Sequence, residues 1–144
     1  MTKQLATIVV ALALSLVGCG LLPSHGDPVQ LVTGDPLHGG CFTAQVEGLL
    51  VVDPTYGTAI VANNHGSMVQ LSDVPATLAW PPSFTARRSG SEVEVLDPQG
   101  NAVAITGRSY QFWGGYTSAG SEFPNWPRLP TQMIWSCGNV HPLP

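Results

Sequence analysis

The sequence predicts an all-β domain, and three observations carry that reading. From Cys41 onward, short runs rich in β-branched and aromatic residues alternate with Gly, Pro, Asn and Asp turn signals. Their spacing of about 8–12 residues is that of sandwiches and barrels. No stretch after Val17 repeats apolar residues at helical spacing over three turns, so little or no helix is expected. Two segments, Asp53-Pro54-Thr55-Tyr56-Gly57 and Asp97-Pro98-Gln99-Gly100, share the chemistry of a tight reversal: Asp accepts backbone N–H groups, Pro presets φ, and Gly takes the left-handed conformation that re-enters a strand. The chain has 144 residues, room for one small domain. Only 10% of them are charged, with a net charge of -4, against an average near 25%. That excludes a coiled coil, a highly charged disordered tail and a basic nucleic-acid-binding module.

Taken in order, the expected strands cover 42–52, 58–62, 68–71, 85–88, 92–96, 102–106, 110–113 and 133–135. The first two are joined by the Asp53 turn. Asn63-Asn64-His65-Gly66 reads as a further hairpin turn, because Asn and Gly tolerate positive φ. Trp80-Pro81-Pro82 reads as a crossing, and the Asp97 turn follows the strand over 92–96. Chaining these hairpins over 41–106 gives a meander, which suits a small closed or partly closed antiparallel barrel, OB-like or SH3-like. Gly114-Gly115, after Tyr110-Gln111-Phe112-Trp113, reads as a bend or bulge in a strand.

The N-terminus is an address. Lys3 precedes an unbroken apolar and small-residue stretch over 5–17, followed by Gly18 and Cys19. The stretch is shorter than the roughly 20 residues that a bilayer-spanning helix needs, and the pattern is that of a secretory signal. Leu16-Val17-Gly18-Cys19 resembles the lipobox of bacterial lipoproteins. The resemblance covers positions 1–19 and implies cleavage before Cys19, a diacylglyceryl group on its thiol and further acylation of the new N-terminus. Two or three acyl chains anchor a protein without a polybasic patch, since each buried CH₂ contributes about 0.8 kcal/mol. The expected organisation is a signal peptide over 1–18, a lipidated Pro/Gly-rich tether over 19–40, and a β domain over 41–144 whose C-terminal part is aromatic-rich. Val29-Gln30-Leu31-Val32 is a candidate short strand within the tether. The segment over 71–97, with Trp80-Pro81-Pro82-Ser83-Phe84 and a Val-x-Val-x-Asp hairpin, also resembles part of small secreted lipoprotein domains, and implies no activity.

Of three cysteines, setting Cys19 aside leaves Cys41 and Cys137. In an exported chain they are a natural disulfide pair, closing a loop of about 95 residues for about 4–5 kcal/mol as an upper estimate. The competing reading makes Cys41 a metal ligand with His38. Cleavage before Cys19 would also remove Lys3, the sole lysine, leaving Arg87, Arg88, Arg108 and Arg128 as the only cations. Nucleic acid is therefore not an expected partner, because phosphate backbones are held by Lys and Arg.

Chemistry-bearing motifs are few. Gly-x-Ser-x-Gly and His-Glu-x-x-His are absent from the sequence. His25 lies in the tether, His65 in a turn and His141 near the end. Were a metal bound, His38, His65 and His141 are the trio to test. Glu92 and Glu94 share one strand face, about 7 Å apart, a spacing that inverting glycosidases use. Yet Glu-Val-Glu-Val is also what any half-buried strand shows, with Arg87 and Arg88 to offset the charge.

Tyr110, Phe112, Trp113, Tyr116, Phe123, Trp126 and Trp135 crowd one segment rich in Gly, Ser and Pro. Two readings stand for it. Phe123-Pro124-Asn125-Trp126-Pro127 plugs an open barrel end, or Trp113, Tyr116 and Trp126 form a contact surface for sugar rings, peptide or another envelope protein. The sequence thus leads to a lipid-anchored extracytoplasmic envelope protein with a non-catalytic binding or structural role and no assigned catalytic residue, metal or cofactor. Its partners would be the membrane, through lipid on Cys19, and an envelope protein or glycan. The alternative is a small envelope enzyme or metal-binding protein using His38, His65 and His141. If the source has two membranes, the outer one is open as the site of anchoring.

Overall fold

A computed structural model describes residues 26–35, 40–41, 43–62, 75–117 and 133–144. Its regular elements are all strands: β1 (Pro28–Val29), β2 (Ala44–Asp53), β3 (Gly57–Ala62), β4 (Ala76–Ala79), β5 (Thr85–Ser89), β6 (Glu92–Leu96), β7 (Ala102–Ile105), β8 (Ser109–Thr117) and β9 (Met133–Pro142). The all-β expectation holds.

The turn chemistry read from the sequence sets the local reversals. Asp53 Oδ1 accepts from the backbone N–H groups of Thr55 and Tyr56, and Gly57, at φ 85°, starts β3. The hairpin then runs in register from Asp53↔Gly57 to Gly48↔Ala62. Asp97 Oδ1 accepts from the N–H groups of Gln99 and Asn101, and Gly100 has φ 85°, so β6 returns as β7. The Asn63 turn and the expected strand over 68–71 lie outside the described residues.

Five strands close a barrel in the order β2-β3-β4-β9-β8. Every neighbouring pair is antiparallel except β4 and β9, which run parallel through Leu78↔Ile134 and Ala79↔Trp135. A three-strand meander whose third member pairs in parallel with the last strand is the Greek-key closure of an OB barrel, which selects that architecture from the two expected. The barrel is not the single meander expected over 41–106. β5, β6 and β7 leave it and form a second sheet, in the order β1-β5-β6-β7, inserted between the third and fourth barrel strands. The physical reason is closure: β8, nine residues long, pairs with β2 on one side and β9 on the other, and so fills the ladder positions that the hairpins would have taken.

One core serves both sheets. Val46, Leu50, Ile60, Leu78, Trp80, Phe112 and Ile134 of the barrel pack in a single cluster with Ala86, Val93, Val95 and Ala104 of the inserted sheet. The Glu-Val-Glu-Val alternation of β6 thus points its valines at the barrel. A hydrogen bond binds the two sheets further: Tyr110 Oη accepts from the Ile105 N–H. Within the inserted sheet, the Thr106 hydroxyl accepts from the Val93 N–H.

A smaller cluster on the outside of β4 and β9 holds Val32, Ala79, Met133 and Trp135, with Tyr56 and Cys137 against it. Its cover is the segment over 26–35, which corrects the tether expected to extend to Gly40. β1 pairs with β5 through Pro28↔Arg87 and Val29↔Ala86, and Leu31 and Val32 are buried. The chain then bridges Thr33 to Trp80 in parallel, with the Trp80 N–H donating to the Val32 carbonyl and the Gly34 N–H donating to the Trp80 carbonyl. Burying two aliphatic side chains there outweighs the freedom of a Pro/Gly-rich sequence.

Candidate functional site

The disulfide joins Cys41, just ahead of β2, to Cys137 in β9, with Cα atoms 5.6 Å apart. It meets β9 where that strand departs from regular pairing. Phe112 faces Val140 while Gly114 faces Ser136, so β9 carries the extra residues, among them Gly138 at φ 86°. A Cβ on Gly138 would lie 2.8 Å from the Phe84 ring. The irregularity expected at Gly114-Gly115 is displaced: those two residues pair regularly with Ser136 and Trp135, and the extra residues lie on β9, opposite Trp113. Gly114 serves a different need: a Cβ there would run into the Trp135 carbonyl oxygen, so the two backbones approach only because that position has no side chain.

The aromatic segment divides by burial. Tyr110, Phe112 and Trp135 are buried. Phe112 meets the Trp80 ring edge-on at 5.9 Å, and Trp135 Nε1 donates to the Gly34 carbonyl, fastening the N-terminal segment. Tyr116 is 46% exposed and Trp113 is half-buried. The contact surface joining these two is corrected by strand alternation. Residues three apart on one strand point to opposite faces, and Trp113 stands opposite Gln45 whereas Tyr116 stands opposite Ile134, a core residue. Trp113 belongs to the barrel's outer face and Tyr116 to its rim. Phe123 and Trp126, and with them the plug, lie outside the described residues.

Around Trp113 the outer face is polar. Gln45, Glu47 and Gln111 alternate with the buried Val46 and Phe112. Gln111 Nε2 donates to Glu47 Oε1 at 2.7 Å, and exposed His141 faces Gln111 across the β8–β9 ladder. A half-buried indole set among amide and carboxylate groups suits contact with a sugar ring or a peptide side chain whose polar substituents those groups can bond. This row was missed from sequence because its members come from three strands whose register only the barrel fixes.

Other candidates resolve into structural roles. Glu94 Oε2 accepts from both Nε and Nη2 of Arg87, each at 2.7 Å, and the two residues face each other across β5 and β6. Arg87 thus neutralises one of the two carboxylates with glycosidase spacing, the charge offset expected for a solvated face. Asp97 is held below the ordinary carboxylate range, first by the Asn101 side-chain amide and then by backbone N–H groups. Among the described residues no group of three or more His, Cys, Asp and Glu gathers as for a metal, and every buried side-chain N or O has a hydrogen-bond partner. Cys19, His25, His38 and His65 lie outside the described residues. No family model, curated protein or solved structure matches the chain.

Proposed function

We propose that the protein is a lipid-anchored extracytoplasmic component of the cell envelope with a non-catalytic binding role, presenting the β2–β8–β9 face of its barrel to a glycan or an envelope protein. One observation carries the anchoring. Of three cysteines, two are bonded to each other, and the third, Cys19, ends the ordered run of cation, apolar stretch and Leu16-Val17-Gly18. A disulfide that ties residues 96 apart belongs with the oxidising side of a membrane, where a lipidated chain would reside. The binding role draws on the outer row of Gln45, Glu47, Gln111 and Trp113. An anionic chain with one lysine disfavours nucleic acid as the ligand.

Expression of the full chain in a bacterial host tests the anchoring. The expected product is membrane-associated, begins at Cys19 and carries the mass of a diacylglyceryl group, while Cys19→Ala leaves an unlipidated chain outside the detergent phase. An unmodified wild-type polypeptide would refute the reading. For the binding role, Trp113→Ala is expected to weaken retention on isolated cell-wall glycan or on an envelope partner recovered by cross-linking, with thermal stability little changed.

A further inference from the structure

We propose that the β5–β6 hairpin tip, with the β1 edge beside it, is the membrane-facing side of the domain, held against the lipid headgroups by a leash too short to let the molecule turn over. The proposal rests on lipidation of Cys19. Its structural basis is where the ordered chain begins. Arg88 donates its backbone N–H to the Asp27 carbonyl at 2.7 Å, and Pro28 and Val29 pair with Arg87 and Ala86. Gly26 lies so close to β5 that a Cβ on it would collide with the Arg88 carbonyl oxygen. Because β1 and β5 are antiparallel, the chain backing out through Gly26 moves toward Ser89, the end of β5 that turns into β6.

The leash from Cys19 to Gly26 is seven residues of sequence. Whatever its conformation, it spans at most about 25 Å, from about 3.3–3.6 Å per residue. A domain of this size has a radius of gyration near 13 Å, hence a diameter of roughly 34 Å. Carrying the far pole to the bilayer would take the leash around half the circumference, roughly 50 Å by the same estimate, about twice its reach. The far pole therefore cannot meet the headgroups, and the tether exit stays within the leash's reach of them.

The surface there fits such contact. Arg88, Ser89, Gly90, Ser91 and Glu92 are all exposed, Gly90 turns the tip at φ 63°, and the small polar side chains need no burial in the acyl region. Tyr116 lies near the C-terminal end of β8. β8 begins at Ser109, just after the inserted sheet, and runs to Thr117, so Tyr116 lies about 24 Å further along the strand at about 3.4 Å per residue. The leash thus aims the end of β8 away from the membrane.

The lipidated protein, reconstituted in phosphatidylcholine vesicles containing a headgroup nitroxide lipid, tests this. Ser91→Cys and Tyr116→Cys are each labelled with a thiol-reactive fluorophore. Quenching is expected to remove most emission at 91 and little at 116, and inserting a long Gly/Ser stretch between Gly20 and Leu21 is expected to abolish the difference. Equal quenching, stronger quenching at 116, or a difference that survives the insertion would overturn the proposal while lipidation stands. A mass showing no lipid on Cys19 would remove the anchor itself, and the proposal with it.

Discussion

Single residues hold this fold through specific polar contacts as well as burial. Trp80 is fully buried, stacks on Phe84 at 5.7 Å, and donates its indole N–H to the buried Thr58 hydroxyl at 2.9 Å. Thr58→Val keeps the side-chain shape but orphans that donor, which costs about 1–3 kcal/mol. At about 3–4 °C per kcal/mol for a chain of this length, thermal unfolding should show Tm lower by several degrees, with Thr58→Ser recovering most of the loss; an unchanged Tm would deny the hydrogen bond its role. Asp97 gives a pH-dependent case. Its folded-state pKa is depressed, chiefly by Asn101. The bonds it accepts therefore stabilise the fold above the unfolded aspartate pKa, about 3.9, and that contribution is lost as pH falls through the lower folded value. Asn101→Ala is expected to raise the Asp97 pKa in an NMR titration, and to narrow the acid range over which the β6–β7 turn keeps its hydrogen bonds.

Among elements, those closed by local chemistry were legible in the sequence and those closed by distant pairing were not. Asp53 and Asp97 announce their hairpins because an Asx acceptor, a proline and a left-handed glycine act within five residues, whatever the rest of the chain does. β4 gave no such signal. Its Ala-Thr-Leu-Ala run is short, has a single β-branched residue, and becomes a strand by pairing with β3 and, in parallel, with β9. Val32 looks like tether because its cover, Met133 and Trp135 included, lies a hundred residues away in sequence. The candidate face split the same way: the aromatic density around Trp113 is plain in the sequence, but its separation from Tyr116 and its company of Gln45 and Glu47 follow from register. The Cys41–Cys137 pair was legible from arithmetic alone, and its position explains its effect, because it pins the start of β2 to the irregular stretch of β9. Replacing both cysteines by serine is expected to lower stability by up to about 4–5 kcal/mol on the chain-entropy account. A reducing agent should reproduce that loss in the wild type and do nothing further to the variant. Equal denaturation midpoints for oxidised and reduced protein would show that the bridge adds no stability.

For the whole molecule, the decisive feature is that the inserted sheet and the barrel bury their apolar faces in one cluster. An appended hairpin domain would have its own core and could melt by itself. Here Val93 and Val95 share their cluster with Leu50, Trp80 and Phe112, and the sheet's N-terminal edge strand continues into the segment that covers Trp135. Unfolding should therefore be a single cooperative event. Near-UV circular dichroism, which reports on the packed Trp80, and hydrogen exchange of the β6 amides should follow the same denaturant dependence. Val95→Ala, although it lies outside the barrel, should shift both midpoints together while the denaturant slope stays constant. If the β6 amides exchanged well before the tryptophan signal changed, the sheet would be an independent unit. The leash would then hold only that unit against the membrane, with the barrel free to move beyond it, so the same measurement bears on how the binding face is presented.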